Sequence, residues 1–191
     1  PYLWGFMTDG IAGWHSFDAE SEALPSELGS SILPRGGQGR IVALASTPYA
    51  RKEGWAGRAA KAIAGEWSRQ GLRIFLMDLD LESPSLHDVL GLSNAEGVSD
   101  AFLYGASVQR IARPALDGAI YFAPAGTVTA DPAQVLDHPR WKDLAGGFSE
   151  ADATLLLFLP TEIPGARKVL DRATDVLFLA GEEESPEEHL G

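Results

Sequence analysis

The chain has 191 residues, 45% of them hydrophobic, enough for one sizeable core and within the usual size of a single domain. Its 15 Lys+Arg against 27 Asp+Glu give a formal charge of −12, which repels phosphate backbones and anionic headgroups and excludes nucleic acid and bare membrane as expected partners. No apolar run approaches the ~20 residues of a membrane helix, no basic stretch leads an apolar segment, and the absence of cysteine rules out disulfides and thiolate metal sites, so a cytoplasmic, metal-free domain is expected.

Residues 1–34 carry no Lys or Arg, yet group Tyr2, Trp4, Phe6, Trp14 and Phe17 among glycines and acids. This segment, taken with the Pro34–Arg40 string as residues 1–35, reads as an aromatic arm followed by a flexible joint, because proline and glycine interrupt any regular pattern there. The glycine string is not a phosphate loop, since such a loop follows a strand and opens a helix, whereas this one precedes the strand. The arm has two readings. Its rings fold back onto their own sheet, or they form a partner-binding surface; the second is favoured because rigid aromatics on a movable arm suit a partner's groove.

Residues 36–181 then read as the main domain. Ile41–Ala45 is a continuous apolar run, the pattern of a central parallel strand covered on both faces. Ala56, Ala59, Ala60, Ile63, Ala64 and Trp67 recur at steps of three and four, which makes an amphipathic helix, closed by Gly71. Ile74–Met77 is a second strand ending at Asp78, and strand, helix, strand forms a right-handed crossover unit. Short helices are expected over 85–90, 99–104, 132–136 and 139–144, a third strand over 119–122, a fourth over 154–159, a helix over 165–172 and a last strand over 176–179. Five apolar strands alternating with helices predict an α/β fold with a doubly wound, mostly parallel sheet flanked by helices. Residues 182–191 are an acidic tail, of the kind usually solvated.

In such a sheet the ligand site lies at the carboxyl ends of the strands, so the loops after Ala45, Met77 and Leu159 matter most. Asp78 and Asp80, spaced i, i+2 at a strand end, suit a metal–phosphate complex or, as readily, cap the following turn and face water. A phosphatase reading of Asp78-Leu79-Asp80, with an attacking carboxylate, is disfavoured because a complete strand–helix unit precedes the motif and Glu82 stands where a threonine or valine is expected.

From Asp78 to Leu92, then through Gly97-Val98-Ser99-Asp100, Gly105-Ala106-Ser107, Pro124-Ala125-Gly126, Pro132-Ala133-Gln134-Val135-Leu136 and Pro139-Arg140, the order of motifs resembles MinD/ParA-type P-loop ATPases. It resembles especially the cytoplasmic tyrosine kinases of capsule and exopolysaccharide export. The resemblance implies a P-loop NTPase-like three-layer fold and binding of ATP and magnesium. It fails at the phosphate loop, where the family's lysine and hydroxyl fall on Ala56 and Gly57, and after the fourth strand, where Leu157-Phe158-Leu159-Pro160-Thr161 lacks the family's acid. Arg51, Lys52, Gly54, Asp78 and Asp80 are what remains of a nucleotide site. The resulting expectation is a pseudo-ATPase or pseudokinase: no catalytic residue, no cofactor and no metal beyond Asp78. The expected role is as a protein-binding or scaffold component, with a protein partner or a second copy, recruited to a membrane complex rather than inserted in the bilayer. The alternative is a weak ATP binder or kinase whose Arg51 or Lys52 replaces the missing lysine. No arginine precedes Arg35, so the ring assembly of the kinase members is not expected.

Overall fold

The computed structural model describes residues 2–8, 11–17, 39–52, 54–181, 183–185 and 188–189, with only the backbone path for the first two segments. The strands are β1 (Tyr2–Thr8), β2 (Ile11–Phe17), β3 (Ile41–Ser46), β4 (Ile74–Asp78), β5 (Arg113–Ala115), β6 (Ile120–Ala123), β7 (Thr154–Pro160) and β8 (Asp175–Gly181). Among the described residues the helices are α1 (Pro48–Lys52), α2 (Trp55–Arg69), α3 (Leu86–Val89), α4 (Val98–Leu103), α5 (Val108–Ile111), α6 (Pro132–Leu136), α7 (Trp141–Glu150) and α8 (Ala166–Leu170).

One sheet runs in the order β2-β1-β8-β3-β7-β4-β6-β5. Its five central strands, β8, β3, β7, β4 and β6, are parallel neighbours, as the sequence predicts. β7 inserts between β3 and β4, so the α2 crossover spans one intervening strand. Every residue of β7 is buried, because helices cover both faces. On one face the alanines of α2 allow close approach to Val42, Leu44, Leu156 and Phe158, with Trp55 and Trp67 filling the gaps at its two ends. On the other, Met77, Leu155 and Leu157 meet Phe102 of α4, Leu136 of α6, Leu144 of α7 and Val169 of α8. Gly71 ends α2 at φ 92, where Leu72 N donates to Trp67 O at 3.1 Å.

The segment expected to stand apart as an arm extends the sheet instead. β1 lies antiparallel to β8, with Trp4 opposite Leu179, and β2 returns beside β1, with His15 opposite Trp4. The physical reason is that β8 is apolar and almost wholly buried, and an open edge of that kind is closed by main-chain pairing. The surroundings of the Tyr2, Trp4, Phe6, Trp14 and Phe17 side chains lie outside the described residues, as does the joint at 36–38. Among the described residues no helix is long and apolar enough to cross a membrane.

Two sequence motifs prove to be one piece of structure. The amides of Val98 and Ser99 donate to Pro124 O at 2.8 Å and Ala125 O at 2.9 Å. Asp100 accepts from Gly97 N at 2.9 Å and from Thr127 Oγ1 at 2.8 Å. Burial pushes the Asp100 carboxyl up, but these hydrogen bonds outweigh it and its pKa falls. The Gly97–Asp100 turn and the Pro124–Gly126 turn therefore clamp the top of β6 to the start of α4.

Candidate functional site

The carboxyl ends of β3, β4 and β7 converge as the topology requires. After β3 the chain turns at once into the five-residue α1, capped by Thr47, whose Oγ1 accepts from Ala50 N at 3.2 Å. Gly54, at φ 68 and ψ 9, provides the left-handed turn that lets α1 hand over to α2. An L residue with a Cβ is strained there.

This short helix carries Arg51 into the centre of the site. Its Nη1 donates to Ser46 O at 2.6 Å, its Nε lies 3.6 Å from Asp80 Oδ2, and its Nη2 pairs with Glu162. One guanidinium thus ties together the ends of β3, β4 and β7. The arginine side chain is only 14% exposed and that of Asp80 only 7%, so solvent screens this contact less than a surface pair. Lys52, the other cation expected there, is exposed and takes no part.

Asp78 and Asp80 are together in the site, but not as a pleat-aligned pair. Asp80 lies beyond the end of β4 and its amide folds back to donate to Asp78 Oδ1 at 3.0 Å, while Asp80 Oδ1 accepts from Ser83 N at 3.0 Å. Both acids cap turns, which is the plainer of the two readings made from the sequence. The expectation that capping leaves them facing water is corrected: Asp78 is 0% exposed and Asp80 5% exposed. Burial, opposed by the Asp80 amide, raises the Asp78 carboxyl to about 8, and its Oδ2 has no hydrogen-bond partner among the described residues. Burial also raises Asp80, against the Ser83 amide and Arg51.

The two positions where the resemblance places the family's lysine and hydroxyl are packed. Ala56 is 0% exposed within the apolar cluster under α2. A Cβ on Gly57 would lie 3.1 Å from Val89 Cγ2, because α3 folds over the start of α2. Among the described residues no group of three or more His, Asp or Glu side chains is arranged to hold a metal ion.

Two residues that sequence reasoning missed complete the rim. Glu162 follows Pro160-Thr161 in the loop already singled out, and was noted only as an acid placed too late. Glu184 belongs to the tail expected to be solvated, yet its Oε2 accepts from Thr47 Oγ1 at 2.6 Å and from Gly181 N at 2.6 Å. Nothing in the tail's composition distinguishes this glutamate from its neighbours; the fold does, by ending β8 beside β3.

No family model matches the chain. It is 27% identical over 86 residues to tyrosine-protein kinase YwqD of Bacillus subtilis, covering 45% of this chain and 36% of that protein. The kinase domain of the Escherichia coli tyrosine kinase ETK superposes with a TM-score of 0.61 at 17% identity, covering 71% of this chain and 52% of that one. The VpsO kinase domain gives 0.62 at 17% identity over 73% of this chain and 68% of that one. The cell division ATPase MinD of Pyrococcus furiosus gives 0.55 at 18% identity over 71% and 56%. The chain thus spans about a third of the curated relative's length and roughly half to two thirds of these structures. Its fold is the P-loop NTPase-like sandwich shared by bacterial tyrosine kinase domains and MinD ATPases, and its sequence is similar to the tyrosine kinases of that group.

Proposed function

We propose that this chain is a non-catalytic relative of the polysaccharide-export tyrosine kinases and MinD ATPases, and acts as a protein-binding or scaffold component of exopolysaccharide synthesis or export. The observation that carries this reading is Arg51. A nucleotide site of this fold leaves amides, a lysine and a hydroxyl open to phosphate and magnesium. Here the chain's own guanidinium bridges Ser46 O, Asp80 and Glu162 across the strand ends. The residues present do not fit a magnesium–nucleotide complex: Ala56 and Gly57 are packed in the interior, and the remaining carboxylates already have a cation. A pocket that neutralises itself attracts a charged ligand weakly, because binding must first break the internal pairs.

The scaffold part of the reading draws on two further features. The edge strand β2 continues the sheet beyond β8, and a strand at a sheet edge offers main-chain groups for pairing with a partner protein. The net charge of −12 points to a protein partner, or a membrane complex reached through one, and away from direct contact with anionic lipid.

Calorimetric titration with magnesium and ATP, alongside melting curves at millimolar ligand, tests the proposal. No heat and no change in Tm are expected. A saturable heat with a raised Tm would overturn it in favour of a weak ATP binder that displaces Arg51. Arg51→Ser, which removes the internal cation, then distinguishes the two: it strengthens binding if Arg51 blocks the site and abolishes it if Arg51 serves as the displaced lysine.

A further inference from the structure

Away from the strand carboxyl ends, a cleft of about 980 Å³ opens between α7 and α5 over the starts of β4 and β6. That volume falls within the ~300–1,000 Å³ typical of small-molecule sites. Phe75, Ile120, Leu144 and Phe148 form the apolar part of its lining, with Phe75 and Phe148 edge-to-face at 4.9 Å between ring centroids. Val108 of α5 supplies the opposite wall. The cleft is open because α7 carries Gly146-Gly147 in its middle. Gly147 lines it, and a Cβ built there meets nothing within 4 Å.

The charge along the cleft is ordered by α7. At the helix's amino end, Arg140 donates to Ala101 O and to Ala106 O, and Asp143 stands one turn further on, so that cation is committed to backbone and offset by an acid. At the carboxyl end, Arg73 donates one hydrogen bond, from Nη1 to Ala151 O at 3.0 Å, and pairs with no carboxylate among the described residues. An exposed arginine without an acid partner is unusual in a chain of formal charge −12, and it lies at the end of an aromatic-floored trough.

We propose that this cleft binds a small amphipathic organic anion, with an aromatic or aliphatic body lying on Phe75 and Phe148 and a carboxylate, sulfonate or phosphate held by Arg73. An apolar body gains by leaving water, and a guanidinium at one end orients an anionic head through a charge-assisted hydrogen bond. The site is separate from the strand-end site at Arg51 and does not depend on the reading given above.

The test uses the full chain and 8-anilinonaphthalene-1-sulfonate as probe, with its uncharged counterpart N-phenyl-1-naphthylamine as control. Saturable binding of one sulfonate per chain is expected. Gly147→Leu places an isobutyl group in the cleft and weakens both probes by about tenfold or more. Arg73→Gln weakens the sulfonate by about tenfold and leaves the uncharged probe unchanged. The proposal is overturned if Arg73→Gln affects both probes alike or neither, or if folded Gly147→Leu binds as the parent does. Leucine favours helix over glycine and meets open space, and Arg73→Gln alters an exposed side chain, so at least the second variant remains folded and decisive.

Discussion

Gly97 lies so close to Pro124 that a Cβ added to it would sit 2.0 Å from the Pro124 carbonyl oxygen. The obstructing atom is backbone, held by the hydrogen bonds that clamp β6 to α4, and cannot swing aside as a side chain would. Gly97→Ala is therefore expected to cost about 2–4 kcal/mol in urea denaturation, the range of a forced core rearrangement. A loss below ~0.5 kcal/mol, the scale of a neutral surface change, would mean that the clamp is dispensable.

The pH dependence of stability follows from Asp78. Its folded pKa, about 8, lies above the unfolded value, so the folded state holds a proton that the unfolded chain releases. The stability associated with that proton is fully present below the unfolded pKa and is lost as pH rises from about 4 through about 8. Asp78→Asn keeps an oxygen for the Asp80 amide and removes the buried charge. At pH 9 the variant should be more stable than the parent by about 3–6 kcal/mol, with the advantage shrinking toward pH 4. An equal effect at both pH values would show that Asp78 titrates normally.

At the opposite end of the sheet, Arg40 Nη1 pairs with Asp175 Oδ2 at 2.6 Å, and the aspartate side chain is wholly buried. Removing one partner of such a pair strands the other charge away from water. Arg40→Ala is expected to cost about 3–5 kcal/mol, while Arg40→Ala combined with Asp175→Asn costs clearly less than the single change. A double-mutant cycle measures this, and additive losses would argue against coupling.

Deleting residues 1–17 decides whether the amino-terminal segment belongs to the domain. Loss of β1 and β2 uncovers β8, so Tm should fall by at least ~5 °C and the denaturant slope should shrink with the smaller surface exposed on unfolding. If Tm is unchanged and association with a partner is lost, the segment is a docking arm after all.

The central strands were readable because a strand covered on both faces must be apolar throughout, as Leu155 to Leu159 are. The helix α2 was readable because Ala56, Ala60 and Ile63 repeat with its turn. Nothing local marks β1 and β2 as part of the sheet: Trp4-Gly5-Phe6 lacks a clean alternation, and the partner of Tyr2 is Gly181, at the other end of the described chain. The edge strand β5 is three residues long with Pro114 at its centre, which reads as a break. At the site, the sequence put Arg51, Asp78 and Asp80 in the right loops but could not bring Glu162 to the arginine. That meeting depends on β7 inserting between β3 and β4, a matter of strand order that no residue pattern specifies.

The pairing of β1 with β8 joins the earliest strand of the chain to the latest. During synthesis β1 can form its turn with β2 but has no sheet to join until residues 175–181 have left the ribosome. Closure of this edge is consequently the most non-local event in the fold and one that the topology places late, since loop entropy must be overcome before the contact contributes. Until then the nascent chain exposes the apolar side of β8's future neighbours and a hairpin with an unmatched edge, the kind of surface that chaperones engage and that swaps between copies.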